Sequence, residues 1–337
     1  MATKKKPRSK TSKKPAVAKS GGGGAGGERP PAPPRDPRDY VGYGEHPPHA
    51  NWPGGARVAV QFVLNYEEGG ENCVLNGDAA SETFLSEIIN APRIEGRHIS
   101  MESLYEYGTR AGVWRLLRLF KKYKMPVTVF AVALALEKYP AMAKTFMREG
   151  HEIASHGYRW INYQDIDIKT ERDHMKRAVE IIERLSGERP LGWYTGRTSP
   201  NTRRLVLEDG SFLYDADDYS DDLPFWYKEA DKKQLVVPYT LDTNDMRFAA
   251  AQGFNSGDQY FAYLRDAFDV LYEEGEHAPK MLSIGLHCRI VGRPARMAAL
   301  ERFIQHVKSH DKVWIARRID IARHWMEKHP YKDTPRG

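Results

Sequence analysis

Apolar runs that end abruptly in clusters of polar residues recur along this chain, with helix-like segments between them. Val58–Leu64 runs into Asn65-Tyr-Glu67-Glu68-Gly-Gly70, and His151–Ser155 runs into His156-Gly-Tyr-Arg-Trp160. Leu191–Thr195 leads to Gly196-Arg197, Phe212–Tyr214 to Asp215-Ala-Asp217-Asp218, and Met281–Leu286 to His287-Cys-Arg289. Strands are expected to end near Leu64, Phe130, Ser155, Thr195, Tyr214, Pro238, Leu286 and Ile315. Helices are expected over Gly108–Tyr123, Ala141–Glu149, Thr170–Ser186, Asn201–Asp209, Asp258–Glu274, Arg293–Ser309 and Ile319–Lys328. Such alternation predicts an α/β fold, a regular or distorted (β/α) barrel, whose strand ends converge on one face and gather the reactive residues there. An open doubly wound sheet fits less well. It usually carries a Gly-rich phosphate loop after its first strand, and here Gly69-Gly70 follows two glutamates that would repel phosphate.

Charge divides the chain unevenly. Residues 1–38 hold 11 Lys or Arg against 2 acidic residues, a surplus of +9 in a chain whose total is +6, so the remainder stands at −3. The basic, Gly- and Pro-rich stretch 1–38 cannot bury enough apolar surface to fold and reads as a disordered arm, capable at most of weak, salt-sensitive contacts with nucleic acid. One barrel domain is expected over 39–330, with a short C-terminal tail at 331–337. No apolar run approaches the ~20 residues that span a bilayer. The first 38 residues lack the layout of a secretory signal. Two cysteines, Cys73 and Cys288, are too few for a disulfide framework, and a cytoplasmic location is expected.

The strand-end residues supply the candidate chemistry. Glu67 and Glu68 can both reach one pocket only where the strand breaks, and Gly69-Gly70 provides the break. A carboxylate there can take a proton from water, and two close together split their pKa values. His156 and His287 end apolar strands, and a histidine near neutral pKa can protonate a leaving amine. Arg197, in a turn, can stabilise an oxyanion. Asp217, Asp242, Asp245, and the expected loops holding Tyr105 and Asn255 are candidates for substrate contact. A hydrolytic zinc usually takes three protein ligands. One carboxylate and His156 give two, and the residue four after His156 is Trp160, which cannot ligate. These residues leave such a site one ligand short.

At these residues the chain resembles the polysaccharide-deacetylase (NodB-homology) superfamily of carbon–nitrogen hydrolases, a family of distorted (β/α) barrels. Glu67-Glu68-Gly69 is similar to its Asp-Asp-Gly motif, His156 and Trp160 to its His-x-x-x-His motif, and Arg197-Thr-Ser-Pro200 to its Arg-x-Pro motif. Asp215-Ala-Asp217-Asp218 and Leu286-His287 resemble its later motifs. Asn65–Glu71, Met101–Tyr107, Gly192–Asn201 and Tyr239–Phe248 resemble the PuuE-type allantoinase branch, which is metal-independent and acts in urate catabolism. Both motif aspartates are glutamates here and the second metal histidine is Trp160, departures that this branch shares. The resemblance implies hydrolysis of the hydantoin ring of allantoin to allantoate, without metal or other cofactor, by a homo-oligomer such as a tetramer. It gives Glu67 or Glu68 as base, Glu68 favoured, and His287 as acid. His156 and Arg197 would orient groups or stabilise the oxyanion, and Trp160 would wall the pocket. The alternatives are a metal-dependent deacetylase of N-acetylated sugars with a third ligand such as Asp217 or His287, another cyclic amide hydrolase, and a basic-armed binding protein whose barrel has lost catalysis.

Overall fold

The computed structural model describes residues 36–251 and 253–333. The arm expected over 1–38 lies outside them apart from its last three residues. The chain divides into two units at the Gly42–Tyr43 boundary. In the described part of the first, Arg38 pairs with Asp36 at 2.6 Å.

Among the described residues of the second unit, nine strands form one sheet. They are β1 (Val58–Tyr66), β2 (Thr128–Ala131), β3 (Glu152–Ser155), β4 (Gly192–Trp193), β5 (Tyr214–Asp215), β6 (Phe225–Glu229), β7 (Lys232–Val236), β8 (Lys280–His287) and β9 (Val313–Ile315). The order is β6-β7-β5-β4-β3-β2-β1-β8, and β9 pairs with the first three residues of β1. All pairings are parallel except the β6–β7 hairpin. The sheet curls into a distorted barrel of the expected kind. Beyond β7 the chain reaches β8 through a single bridge between Asn244 and Gly285.

β1 shows why the sheet curls around a filled interior. Val58, Val60, Phe62, Leu64 and Tyr66 pack outward with the helices, while Ala59 and Val63 belong to the inner core. Gln61 lies on that inner parity, where its Oε1 accepts a 2.6 Å bond from the fully buried Arg318, which also donates to Ser283 Oγ at 3.2 Å. A guanidinium at the barrel centre is tolerable because backbone and side-chain oxygens surround it. The same two-residue period turns Glu67 inward as β1 ends.

The helices are α1 (Ile99–Tyr107), α2 (Val113–Tyr123), α3 (Ala133–Lys138), α4 (Ala141–Arg148), α5 (Ile168–Ser186), α6 (Thr202–Asp209), α7 (Gly257–Glu274), α8 (Pro294–Lys308) and α9 (Arg318–Lys328). α5 starts earlier than Thr170: Asp167 is its cap, accepting from the Lys169 and Thr170 amides, and Gly187 ends it at φ 86°. Three elements depart from the expected pattern, one of them the short helix α3, which lies between the expected helices ending at Tyr123 and starting at Ala141. The hairpin strand β6 was not anticipated. Tyr105, expected in a loop, sits in α1, whose buried residues Met101 and Tyr105 are too few to give a clear helical stripe.

A π-helical turn, Gly108–Gly112, joins α1 to α2. It brings backbone against both ends of the reactive face: a side chain at Gly108 would collide with the Glu68 carboxylate, and one at Gly112 with the Cys288 carbonyl. Gly112→Ala should therefore destabilise the fold by about 1–3 kcal/mol through overpacking. Chemical denaturation measures this, and a midpoint equal to wild type would show that the turn can yield.

Candidate active site

Three strand ends build one cluster. Glu67 follows β1, His156 follows β3, and His287 closes β8. Glu67 Oε1 lies 3.3 Å from His156 Nε2 and 3.4 Å from His287 Nε2. On the far side of His287, Nδ1 lies 2.6 Å from Asp245 Oδ1, and Asp245 Oδ2 accepts from the His287 and Val291 amides at 2.7 and 3.0 Å. Carboxylate, imidazole and carboxylate thus form a line that fixes the tautomer and tilt of the ring. Asp245 is buried, and both its oxygens are taken up in holding His287 and its loop rather than turned to a substrate.

Arg289 completes the cluster and was not anticipated. It stands two residues beyond His287, and its guanidinium is fully buried. Nη1 lies 2.8 Å from Glu67 Oε2 and 3.6 Å from Glu68 Oε1, out of line for a hydrogen bond to either. Nε donates to the Leu85 carbonyl at 3.2 Å, and the plane lies over the rings of Tyr105 and Trp160 at 4.2 and 5.1 Å. Its sequence signal was its place in the same strand-end cluster as His287.

The remaining expected residues separate into near and distant. Tyr105 is buried against Arg289, and Trp160 lies under the guanidiniums of both Arg289 and Arg197. The Trp160 amide donates to the Gly70 carbonyl at 2.9 Å, tying the loop after β3 to the loop after β1. Arg197 instead pairs with Glu82 at 3.3 Å and covers Trp160 at 3.8 Å. The cation beside the glutamates is therefore Arg289. Asp217 accepts from the Thr195 and Gly196 amides, both at 2.7 Å, bracing the turn before Arg197. Burial and the neighbouring Asp215 push the Asp217 carboxyl up to about 8. Asp242 is exposed and accepts from the Tyr263 hydroxyl. Asn255 is exposed ahead of α7, its amide bonded to Gln259 Oε1, and the structure shows no link from it to the cluster.

Electrostatics divide the two glutamates. Burial alone would push Glu67 up, but the His287 and Arg289 cations outweigh it and hold the carboxyl well below the usual carboxylate range. Glu68 has fewer partners: burial, with the Glu67 charge added and Arg289 opposing, pushes it up to about 7. Burial alone would lower His287, yet Glu67 and Asp245 raise it to about 9. At neutral pH the cluster holds an ionised Glu67, a protonated His287 and a Glu68 near half-protonation. One oxygen of Glu68 accepts the Glu67 amide at 3.2 Å, and the other has no hydrogen-bond partner.

The donor set fits a divalent cation poorly. Trp160 carries no ligand atom, and the buried guanidinium of Arg289 already supplies positive charge at Glu67 and Glu68, where it would repel a metal.

Residues 96–209 match the Polysaccharide deacetylase family. A Schizosaccharomyces pombe protein named "Putative polysaccharide deacetylase" is 46% identical over 315 residues, covering 88% of this chain and 98% of that protein. A crystal structure described as a probable polysaccharide deacetylase from Pseudomonas aeruginosa PAO1 superposes with a TM-score of 0.87 at 65% identity, covering 88% of this chain and 100% of that one. The crystal structure of Puue allantoinase also gives 0.87, at 63% identity, over 88% of this chain and 99% of its own. The chain belongs to the polysaccharide deacetylase family.

Among the shifted groups, His287 and Glu68 affect stability in opposite ways with pH. His287 holds its proton to about pH 9 when folded and to 6.5 in its ordinary state, so the stability it brings is complete below 6.5 and lost as pH rises through 9. Glu68 keeps its proton to about 7 when folded against an ordinary 4.5, so ionising it costs stability as pH rises from 4.5 to 7. Urea denaturation across this range should show His287→Asn flattening the upper limb and Glu68→Gln the lower one. Unchanged slopes in both variants would contradict the charge assignment.

Proposed function

We propose that this chain is an allantoinase, opening the hydantoin ring of allantoin to allantoate by hydrolysis of a cyclic amide, within the broader hydrolase chemistry of its family. The observation that carries the reading is a concentration of unspent hydrogen-bonding capacity in one buried cluster. Glu68 Oε1, His156 Nδ1 and Arg289 Nη2 are buried without hydrogen-bond partners, and Arg289 Nη1 has only its ion pairs with Glu67 and Glu68. Buried polar groups are ordinarily satisfied, and a group of exceptions at convergent strand ends is what a polar substrate would complete. A ureide ring presents carbonyl acceptors and N–H donors suited to these groups. The likeness to Puue allantoinase at 63% identity supports the substrate, and the absence of a second ligand histidine at Trp160 supports this branch over a metal-dependent deacetylase.

The steps follow from the protonation states. Glu68, near half-protonation, takes a proton from water as the water oxygen bonds to the ring carbonyl carbon. Charge passes to the carbonyl oxygen, which the free N–H groups of Arg289 stabilise. His287, cationic at neutral pH, delivers its proton to the ring nitrogen as the C–N bond breaks, leaving a carboxylic acid that ionises and a urea-type nitrogen. Glu67 stays ionised and, with Asp245, keeps His287 charged and aimed. The cluster is nearly closed to solvent, His287 being 5% exposed, and Phe84 and Arg197 pack against Trp160 beside it.

Replacing His287 by Ala should lower allantoin turnover ~10²–10⁴-fold, the usual worth of an acid–base group. Arg289→Met should lower it about 10²–10³-fold, as loss of an oxyanion donor does. Near-wild-type turnover in either variant would remove that residue from the mechanism. Acetate release from N-acetylated sugars without action on allantoin would overturn the substrate.

A further inference from the structure

A second group of ligand-type side chains lies outside the cluster at the strand ends. Asp269 on α7, His306 on α8 and His310, just past the end of α8, each place one ligand atom within 4.8 Å of the others. His306 Nε2 lies 2.6 Å from Asp269 Oδ1. His310 stands four residues after His306, beyond the last helical turn, and the two ring centroids lie 4.7 Å apart. Its Nδ1 lies 2.9 Å from the His306 carbonyl oxygen. A carbonyl only accepts, so that nitrogen carries the proton and Nε2 keeps the lone pair. Metal-bound histidines adopt this arrangement, one ring nitrogen given to a carbonyl and the other to the ion.

The rings are also held in place. The buried Phe268 packs edge-on against His306 and His310 at 5.5 and 5.1 Å, and Tyr272 packs against His310 at 5.0 Å. Asp269 and His306 alone would suffice for a surface ion pair. The ring of His310, oriented by a backbone carbonyl, brings a third ligand-type atom within 4.8 Å of that pair.

We propose that Asp269, His306 and His310 form a binding site for a divalent transition metal of the zinc class, which clamps α7 to α8. Two imidazoles and one carboxylate suit zinc, nickel or copper and not magnesium or calcium, which prefer all-oxygen shells. Three protein ligands leave the remaining position to water. α7 precedes β8 and α8 follows it, so the clamp joins the two helices that flank the strand bearing His287. The site is separate from the strand-end cluster, and its role is structural.

The test is zinc chloride titrated calorimetrically into the full-length chain after exhaustive chelation, beside Asp269→Asn and His310→Ala. Wild type should take up one zinc per chain, and its Tm should rise with zinc concentration. Each variant should bind at least ~10–100-fold more weakly, the loss known even for an outer-shell partner. Asp269→Asn keeps the shape of the side chain, so an unchanged metal-free Tm shows that its loss of zinc is a loss of ligand and not of fold. Allantoin turnover of that variant should match wild type whether or not the allantoinase reading holds in detail. No zinc uptake by wild type, or equal uptake by both variants, would overturn the site.

Discussion

The buried charge balance of Glu67 with His287 and Arg289 is the interaction on which the reactive face depends. Charges taken out of water are tolerable only when paired, and removing one partner of such a set typically costs about 3–5 kcal/mol. Here the pairing is spread over two adjacent parallel strands. β1 delivers Glu67, and β8 delivers His287 and, two residues on, Arg289. The register that sets Asn65 beside His287 is thus also what brings anion to cation. Asp245, arriving from the segment after β7, adds the second carboxylate that makes His287 a stable cation. Glu68 shares in this pairing only loosely, with Arg289 3.6 Å away; it faces the π-helical turn at Gly108 and is left with a raised pKa and an oxygen that has no hydrogen bond.

The backbone around the cluster is fixed by interactions that do not enter the chemistry. Trp160 hydrogen-bonds to Gly70, and Arg159 reaches the Gly70 and Glu71 carbonyls while pairing with Asp78 at 2.5 Å. The loops after β1 and β3 are therefore tied to each other. Such bracing supplies preorganisation, which lets fixed dipoles and charges act on a transition state without reorganising.

Much of this was legible in the chain because barrel strands announce their ends. An apolar run that stops at a Glu, His or Arg places that residue on the reactive face, and Glu67, Glu68, His156 and His287 meet there. What failed to read was partner choice. Arg197 and Arg289 both follow apolar runs, and sequence alone cannot say that Arg197 turns to Glu82 while Arg289 turns to Glu67. Asp245 looked like a substrate contact, since its partner lies 42 residues away and is revealed only by the Asn244–Gly285 bridge. α1 went unread because its apolar stripe is short and its packing comes from the reactive face itself. β6, the partner of the expected strand β7, went unread because a half-exposed strand offers weak alternation.

The central claim is that side chains, with no metal, carry out the hydrolysis. Allantoin turnover by the full-length chain after exhaustive chelation, with metal content determined on the same sample, tests it most directly. The Asp269→Asn chain should be assayed in parallel, so that zinc held between α7 and α8 is not mistaken for zinc at Glu67. Undiminished turnover by the metal-free chain is the predicted result. Turnover lost on chelation and restored by zinc in the Asp269→Asn chain would contradict the account and return the metal to the strand-end cluster.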